Sequence, residues 1–402
     1  MIIVLNLKAL LSTEGRTLVD ESLPVFELER WQSLRENYAR ILLSESGVEP
    51  LTIAEINELI GEPLFEDDFR ISYGWTKGSP ELRKTISEMY RADINEENIL
   101  VTNGSSEANL LTVLSTIKKG DLVIAEMPNY MQIYNLLKWK GAKIIEAWRK
   151  PEENFRLNLN RLINNIRRLK PKAIFITNPN NPTGMFLSNN EVNEIYDEAS
   201  KVKSIIIFDE VYRGLEHEGR VDSLIEIGDM KNVIVTSGLS KAYGLPGLRI
   251  GWIIAEENLI MKMWSIKDYT SIAPSRLSDS LATRCLRGNV RNKLLERGRG
   301  IVRRNKEILG KIANDYKDVM KVYYPLAGAY FIGKFTWSNN SNQICERLFK
   351  EYGVLICPGE TFKLKGFARI GMGQSPEKYE NSLKAMFNGL KEIKKEETNC
   401  LI

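Results

Sequence analysis

The chain has 402 residues, room for one large and one smaller domain, and its 43% hydrophobic and 27% charged residues match an ordinary globular protein. Its 56 basic residues against 52 acidic ones leave a net charge of +4 with no basic stripe, so small molecules rather than nucleic acid are the expected partners. A single histidine, His217, excludes His-rich metal sites and HExxH metalloproteases, and leaves lysine, tyrosine, carboxylates or a cofactor for acid–base chemistry.

The chain opens with "MIIVLNLKALL". No positive charge precedes this apolar run, Asn6 and Lys8 interrupt it, and no A-x-A-like site follows, so it does not read as a signal peptide. No stretch approaches the roughly 18 apolar residues of a membrane span. Cys285, Cys345, Cys357 and Cys400 stand far apart without CxxC spacing, which suits a reducing cytosol better than a disulfide framework or a zinc site. The expectation is a cytoplasmic protein without a membrane partner. "PVFELERWQSLRENYARILL" (24–43) is helix-like, and the first 70 residues are expected to pack with the C-terminal part.

From residue 71 onward, short apolar runs alternate with helical patterns. The runs are "NILVT" (98–102), "LVIA" (122–125), "KIIEA" (143–147), "AIFIT" (173–177), "SIIIF" (204–208), "NVIVT" (232–236) and "IGWII" (250–254). They read as buried strands, linked by stretches such as "NEVNEIYDEASKV" (190–202) with helical periodicity. That alternation predicts an α/β fold with a mostly parallel seven-stranded sheet, covered on both faces, over 71–285. His217 falls in a connecting stretch and is expected at a surface loop. A long amphipathic helix pattern over 291–316 follows. Then "KVYYP", "AYFIGKF", "VLICP" and "ARIGM" alternate like an antiparallel sheet, before a closing helix, "PEKYENSLKAMFNGLKEI". Residues 1–70 and 286–402 are thus expected to form a smaller α+β domain.

Distinctive residues follow the predicted strands, where open α/β sheets bind ligands. After "ILVT" come Gly104, Ser105 and Ser106 and an apolar helix, a pattern that serves equally as a phosphate cradle or as plain capping. After "AIFIT" comes "NPNNPTG" (178–184), with the amide of Asn181. "DEVY" puts Asp209 at a buried strand end, where a carboxylate needs a partner, and Tyr212 three residues on. After "NVIVT" comes "SGLSKAYGLPGLRIGW" (237–252), which carries Lys241 into a glycine-rich turn and Arg249 eight residues later. A phosphate cradle, ring-oxygen donors, a carboxylate and a lysine are together what pyridoxal 5'-phosphate (PLP) requires.

In these motifs the chain resembles the fold-type I PLP-dependent aminotransferases of class I/II, over nearly its whole length and in the family's order. "SGLSK…GLPGLRIG" is similar to the family's lysine signature, which implies that Lys241 is the Schiff-base lysine and proton shuttle. The same signature makes Arg249 a phosphate ligand, beside Ser240. The resemblance puts Asn181 and Tyr212 at the cofactor's phenolic oxygen, Asp209 at its pyridine nitrogen and Tyr130 of "MPNYMQIY" stacked on its ring. Gly104, Ser105 and Ser106 join the phosphate site, and Tyr73 of "YGWTKGSPELR" reaches the phosphate of the neighbouring subunit. Arg369 of "FARIGMG" binds the substrate α-carboxylate, as planar bidentate recognition favours, with Asn181 beside it. The implied protein is a homodimer with shared active sites in amino acid metabolism. It exchanges amino groups between an L-amino acid and a 2-oxo acid, with 2-oxoglutarate as the expected acceptor.

Two positions depart from the pattern. Gly238 stands where many relatives have a Ser or Thr phosphate ligand, which leaves Ser237, Ser240 or backbone N–H groups to compensate. Dicarboxylate-specific relatives have a second arginine in the segment corresponding to "WSIKDYTSIAP" (264–274), where this chain offers Lys267. The alternative within the same fold is a lyase or a cyclising enzyme similar to capreomycidine synthase, which "LPVFELERWQ" and "SESGVEPL" resemble.

Overall fold

The structure, a computed structural model, describes residues 23–65 and 68–399. The N-terminal apolar run and Cys400 lie outside the described residues. Strand β1 (Ile41–Leu42) comes first, and seven strands then build the large sheet. These are β2 (Ile99–Thr102), β3 (Leu122–Met127), β4 (Lys143–Trp148), β5 (Ala173–Thr177), β6 (Ile205–Asp209), β7 (Val233–Gly238) and β8 (Gly251–Ile254). Each lies within two residues of its predicted run. Their order is β2-β8-β7-β6-β5-β3-β4, parallel except for β8, which is antiparallel to both neighbours.

Apart from the half-exposed edge strand β4, the sheet is buried on both faces, which is why its strands read as apolar runs. In β6, Ile205 and Ile207 join a core with Leu111, Val113 and Met263, beneath the helices Ser105–Thr116 and Glu257–Lys267. Ile206 and Phe208 point the other way, into a core shared with Ile166, Ile195 and Leu82. That face is covered by the helices Leu159–Leu169, Asn189–Lys201 and Pro80–Ser87. Local signals start several of these helices. Ser188 forms a capping box with Glu191, and Ser79 caps a helix that begins with Pro80.

The remaining strands are β9 (Met320–Tyr323), β10 (Tyr330–Phe335), β11 (Val354–Leu355), β12 (Cys357–Pro358) and β13 (Phe367–Gly371). Four of them form an antiparallel sheet in the order β12-β13-β10-β9. The run "VLICP" therefore divides. Cys357–Pro358 joins that sheet, whereas Val354–Leu355 pairs in parallel with β1 from the N-terminal segment. Trp31 reinforces the second junction by donating its indole N–H to the Ile356 carbonyl at 3.0 Å.

His217 departs from its expected place. It is 2% exposed, and its Nε2 lies 2.8 Å from the Gly328 carbonyl. Its loop is pinned by a bridge between Glu216 and Ala327, so the ring sits under the connection before β10 rather than in solvent. Among the described residues, no helix is long and apolar enough to cross a membrane.

Candidate active site

Strands β2, β3, β5, β6 and β7 run in one direction, so their carboxyl ends share one edge of the sheet. Because β8 runs the opposite way, its start lies at that same edge and delivers Arg249, two residues upstream of it. Topology alone thus gathers residues from five chain segments around one cavity of about 470 Å³.

At one end of the cavity, the helix Ser105–Thr116 presents its first residues, Ser105 and Ser106. Arg249 stands opposite, its Nη1 donating to Ser240 Oγ at 3.3 Å and to the Pro246 carbonyl at 3.0 Å. Free helix N–H groups facing a guanidinium make an anion cradle. Gly104 lies beneath it with φ of 78°, and a Cβ there would come within 2.5 Å of Arg249 Nη2. Gly251 is packed harder still: a Cβ would sit 2.5 Å from both Gly104 C and Ser105 N. Gly238 belongs to the same stack. A Cβ there would approach the Ile250 carbonyl to 2.9 Å, so the neighbouring backbone crowds out a side chain at this position.

At the floor, Asp209 accepts hydrogen bonds from Asn109 Nδ2 at 3.0 Å and from the Val211 N–H at 3.1 Å. Asn109 is itself oriented by Thr236, whose hydroxyl donates to Asn109 Oδ1 at 2.8 Å. Burial pushes the Asp209 carboxyl above the usual carboxylate range, against the pull of Asn109, the Val211 N–H and the Lys241 charge. Lys241 is partly buried. Loss of hydration lowers its pKa, as do Arg369 and Arg249, while Glu45 and Glu29 oppose the shift. The N-terminal segment lies directly on this lysine, with Val48 N donating to the Lys241 carbonyl at 3.3 Å.

A hydrogen-bonded chain runs along one wall. Arg369 Nη1 donates to Asn181 Oδ1 at 3.0 Å, Asn181 Nδ2 to the Tyr212 hydroxyl at 3.0 Å, and that hydroxyl to Ser46 Oγ at 2.9 Å. The loop carrying Asn181 is held from behind by Glu126. Its carboxylate pairs with Arg149 at 2.7 Å and accepts from Thr177 N and Asn180 Nδ2. Arg369 also donates to the Ser44 carbonyl at 2.6 Å, which leaves its buried Nε without a partner. Tyr130 closes the opposite side, its hydroxyl donating to Glu29 Oε1 at 2.5 Å.

The family model for aminotransferases of class I and II matches residues 54–386. The chain belongs to that family. It is 29% identical over 354 residues to a probable aspartate aminotransferase of Methanocaldococcus jannaschii, covering 82% of this chain and 91% of that protein. It is 27% identical over 375 residues to a capreomycidine synthase of Streptomyces vinaceus, covering 91% and 94% of the two chains. Among solved structures, a PLP-dependent aminotransferase of Streptococcus suis superposes with a TM-score of 0.85 at 32% identity, covering 92% and 98%. The cofactor of this aminotransferase is pyridoxal 5'-phosphate.

The cavity fits that group: an anion cradle that a Cβ would fill, a buried carboxyl in need of a cation, and a lysine with a lowered pKa lie in one space. Of the residues singled out in the sequence, Ser105, Ser106, Tyr130, Asn181, Asp209, Tyr212, Ser240, Lys241, Arg249 and Arg369 all line it. Tyr73 does not; it is 89% exposed on the outer surface. Lys267 is also absent from the lining. Its side chain is buried, and Nζ donates to the Ile272 carbonyl at 2.8 Å, so it ties the end of its own helix. Sequence reading missed Asn109, Ser46, Gln132 and the carboxylates Glu29, Glu36 and Glu45. Only Asn109 had a usable signal, as a lone amide one turn into an apolar helix.

Proposed function

We propose that this aminotransferase transfers the amino group of an L-amino acid to a 2-oxo acid, in two half-reactions that use the same cavity in turn. Bound PLP supplies an electron sink for charge developing at the substrate's α-carbon. The observation that carries the reading is Lys241, partly buried and with a lowered pKa, lining one cavity with the anion cradle and the Asp209 carboxyl. The Lys241 amine removes and returns the proton at the α-carbon. Asp209 holds a proton on the pyridine nitrogen, while Asn181 and Tyr212 serve the phenolic oxygen. Gly104, Ser105, Ser106, Ser240 and Arg249 take the phosphate, and Tyr130 covers the ring. Arg369 receives the α-carboxylate, for which its unpartnered Nε is available, with Asn181 beside it.

Lys241→Ala tests this reading. The variant is expected to keep its far-ultraviolet circular dichroism and to lose both the visible absorption of bound PLP and all transamination. Activity equal to wild type overturns the proposal. 2-Oxoglutarate, the acceptor expected from sequence, is one arm of the assay. The likeness to capreomycidine synthase supports a second reading, elimination or cyclisation. Release of ammonia from a lone amino acid without an acceptor favours that outcome over transamination.

We further propose a large domain of 71–285, a small domain of 1–70 with 286–402, and a cytoplasmic homodimer whose Tyr73 completes the partner's phosphate site. Ile71, Tyr73, Trp75 and Tyr269, all more than half exposed, support the last point.

A further inference from the structure

Three carboxylates line the cavity without a role in the reading above. Among the described residues the Glu29 carboxylate accepts only the Tyr130 hydroxyl, and the side chains of Glu36 and Glu45 have no hydrogen-bond or ion-pair partner. Burial raises the pKa of Glu36, and the charges of Glu45 and Glu29 raise it further, so the three share one electrostatic neighbourhood. The other charges in the lining are already assigned. In that reading Arg249 would take the phosphate, Asp209 the pyridine nitrogen and Arg369 the α-carboxylate, and Lys241 would serve the reacting carbon. Arg369 is 2% exposed with an unpartnered Nε, which leaves a donor free for that carboxylate. A dicarboxylic substrate would need a further cation in the lining besides Arg369. Lys267, the candidate from sequence, is outside the lining and tied to the Ile272 carbonyl, and no unassigned cation lines the cavity among the described residues.

We infer that the amino-acid substrate carries a cationic side chain, an ammonium or a guanidinium, which Glu29, Glu36 and Glu45 receive. The inference rests on the aminotransferase reading. Carboxylates presented to an entering cation form charge-assisted hydrogen bonds and exclude anionic competitors by repulsion. The same repulsion acts on the distal carboxylate of 2-oxoglutarate, so a monocarboxylic 2-oxo acid such as pyruvate is the better acceptor. That departs from the sequence expectation.

Two measurements on the PLP-loaded enzyme test the inference. The first is calorimetric titration with desamino-arginine, which lacks the reacting amine, against hexanoate, which lacks the cation as well. Desamino-arginine is expected to bind about tenfold tighter or more, and Glu29→Gln, Glu36→Gln and Glu45→Gln are each expected to narrow the ratio. A ratio near one in the wild type overturns the inference. The second is the single-turnover change in PLP absorbance with L-arginine, L-ornithine and L-lysine against L-citrulline and L-aspartate. Faster reaction of the cationic amino acids supports the inference; faster reaction of citrulline or aspartate overturns it and leaves the aminotransferase reading intact. If no amino acid changes the absorbance while desamino-arginine still binds preferentially, the aminotransferase reading fails and the cation site stands.

Discussion

Asp209 ends a strand in a place where its carboxyl is bonded by one amide and one backbone N–H, neither of them a cation. Asp209→Asn keeps the shape and removes the charge that would hold the pyridine nitrogen protonated. Single-turnover transamination is expected to fall by about 100-fold or more, the scale of losing a directed electrostatic contact; a loss under about tenfold would remove Asp209 from that role. His217 gives a second test, on stability. Burial lowers its pKa from 6.5 to about 4, so between those values the unfolded chain binds a proton that the folded chain refuses. Stability then rises with pH, and His217 costs nothing above pH 6.5. The penalty grows as the pH falls, toward about 3 kcal/mol near pH 4. Comparison of denaturation profiles for wild type and His217→Gln isolates this slope, since other groups cancel in the difference. Parallel profiles would mean that the ring is protonated in the folded state.

Three glycines from three separate elements carry the anion cradle at the scale of strands and helices. The helix Ser105–Thr116 can point its first N–H groups into the cavity because Gly251, at the start of β8, has no Cβ to hold it off. Gly251→Ala is expected to cost about 1–3 kcal/mol, as overpacking does, and to weaken PLP retention in the same variant. Gly104→Ala meets the tip of Arg249 and also puts a side chain on a backbone with φ of 78°, so it should displace Arg249, weaken retention and cost stability as well. Melting of apo and PLP-loaded protein, with the PLP dissociation constant, separates the two effects. The large sheet was legible because its strands other than the half-exposed edge strand β4 are buried on both faces and so read as continuous apolar runs. The reversed direction of β8 was not, since "IGWII" is apolar whichever way it runs. Nor was the division of "VLICP", because β11 pairs with a strand about 300 residues away in the chain. The site followed the same rule. Asp209 and Arg369 lie in their strands and Lys241 just after one, so all three were visible, whereas Ser46 and Glu45 reach the cavity only through tertiary packing.

The whole molecule presents an apolar face that a free monomer would leave in water. Ile71, Tyr73, Trp75 and Tyr269 are 83%, 89%, 64% and 91% exposed. Arg276 binds their two segments together by donating to the Arg70 carbonyl and to Ser72 Oγ, both at 2.8 Å. Close by, Ile272 holds φ of 61°, a left-handed conformation that a β-branched residue avoids unless its surroundings impose it. A partner seated on this face would bury the patch and bring Tyr73 toward the partner's anion cradle, which gives the proposed homodimer both its driving force and its catalytic reason. Tyr73→Ala should then be inactive through loss of PLP retention, and Lys241→Ala inactive through loss of the amine. After subunit exchange, a mixed dimer contains one site with both defects and one site with neither. Activity is therefore expected to return when two dead proteins are mixed, and to approach about one quarter of wild type at equal amounts. That fraction follows from random exchange, in which half the dimers are mixed and each has one intact site of two. Recovery of no activity, with exchange verified by mass spectrometry, or full activity in a dilute monomer would rule out the shared site.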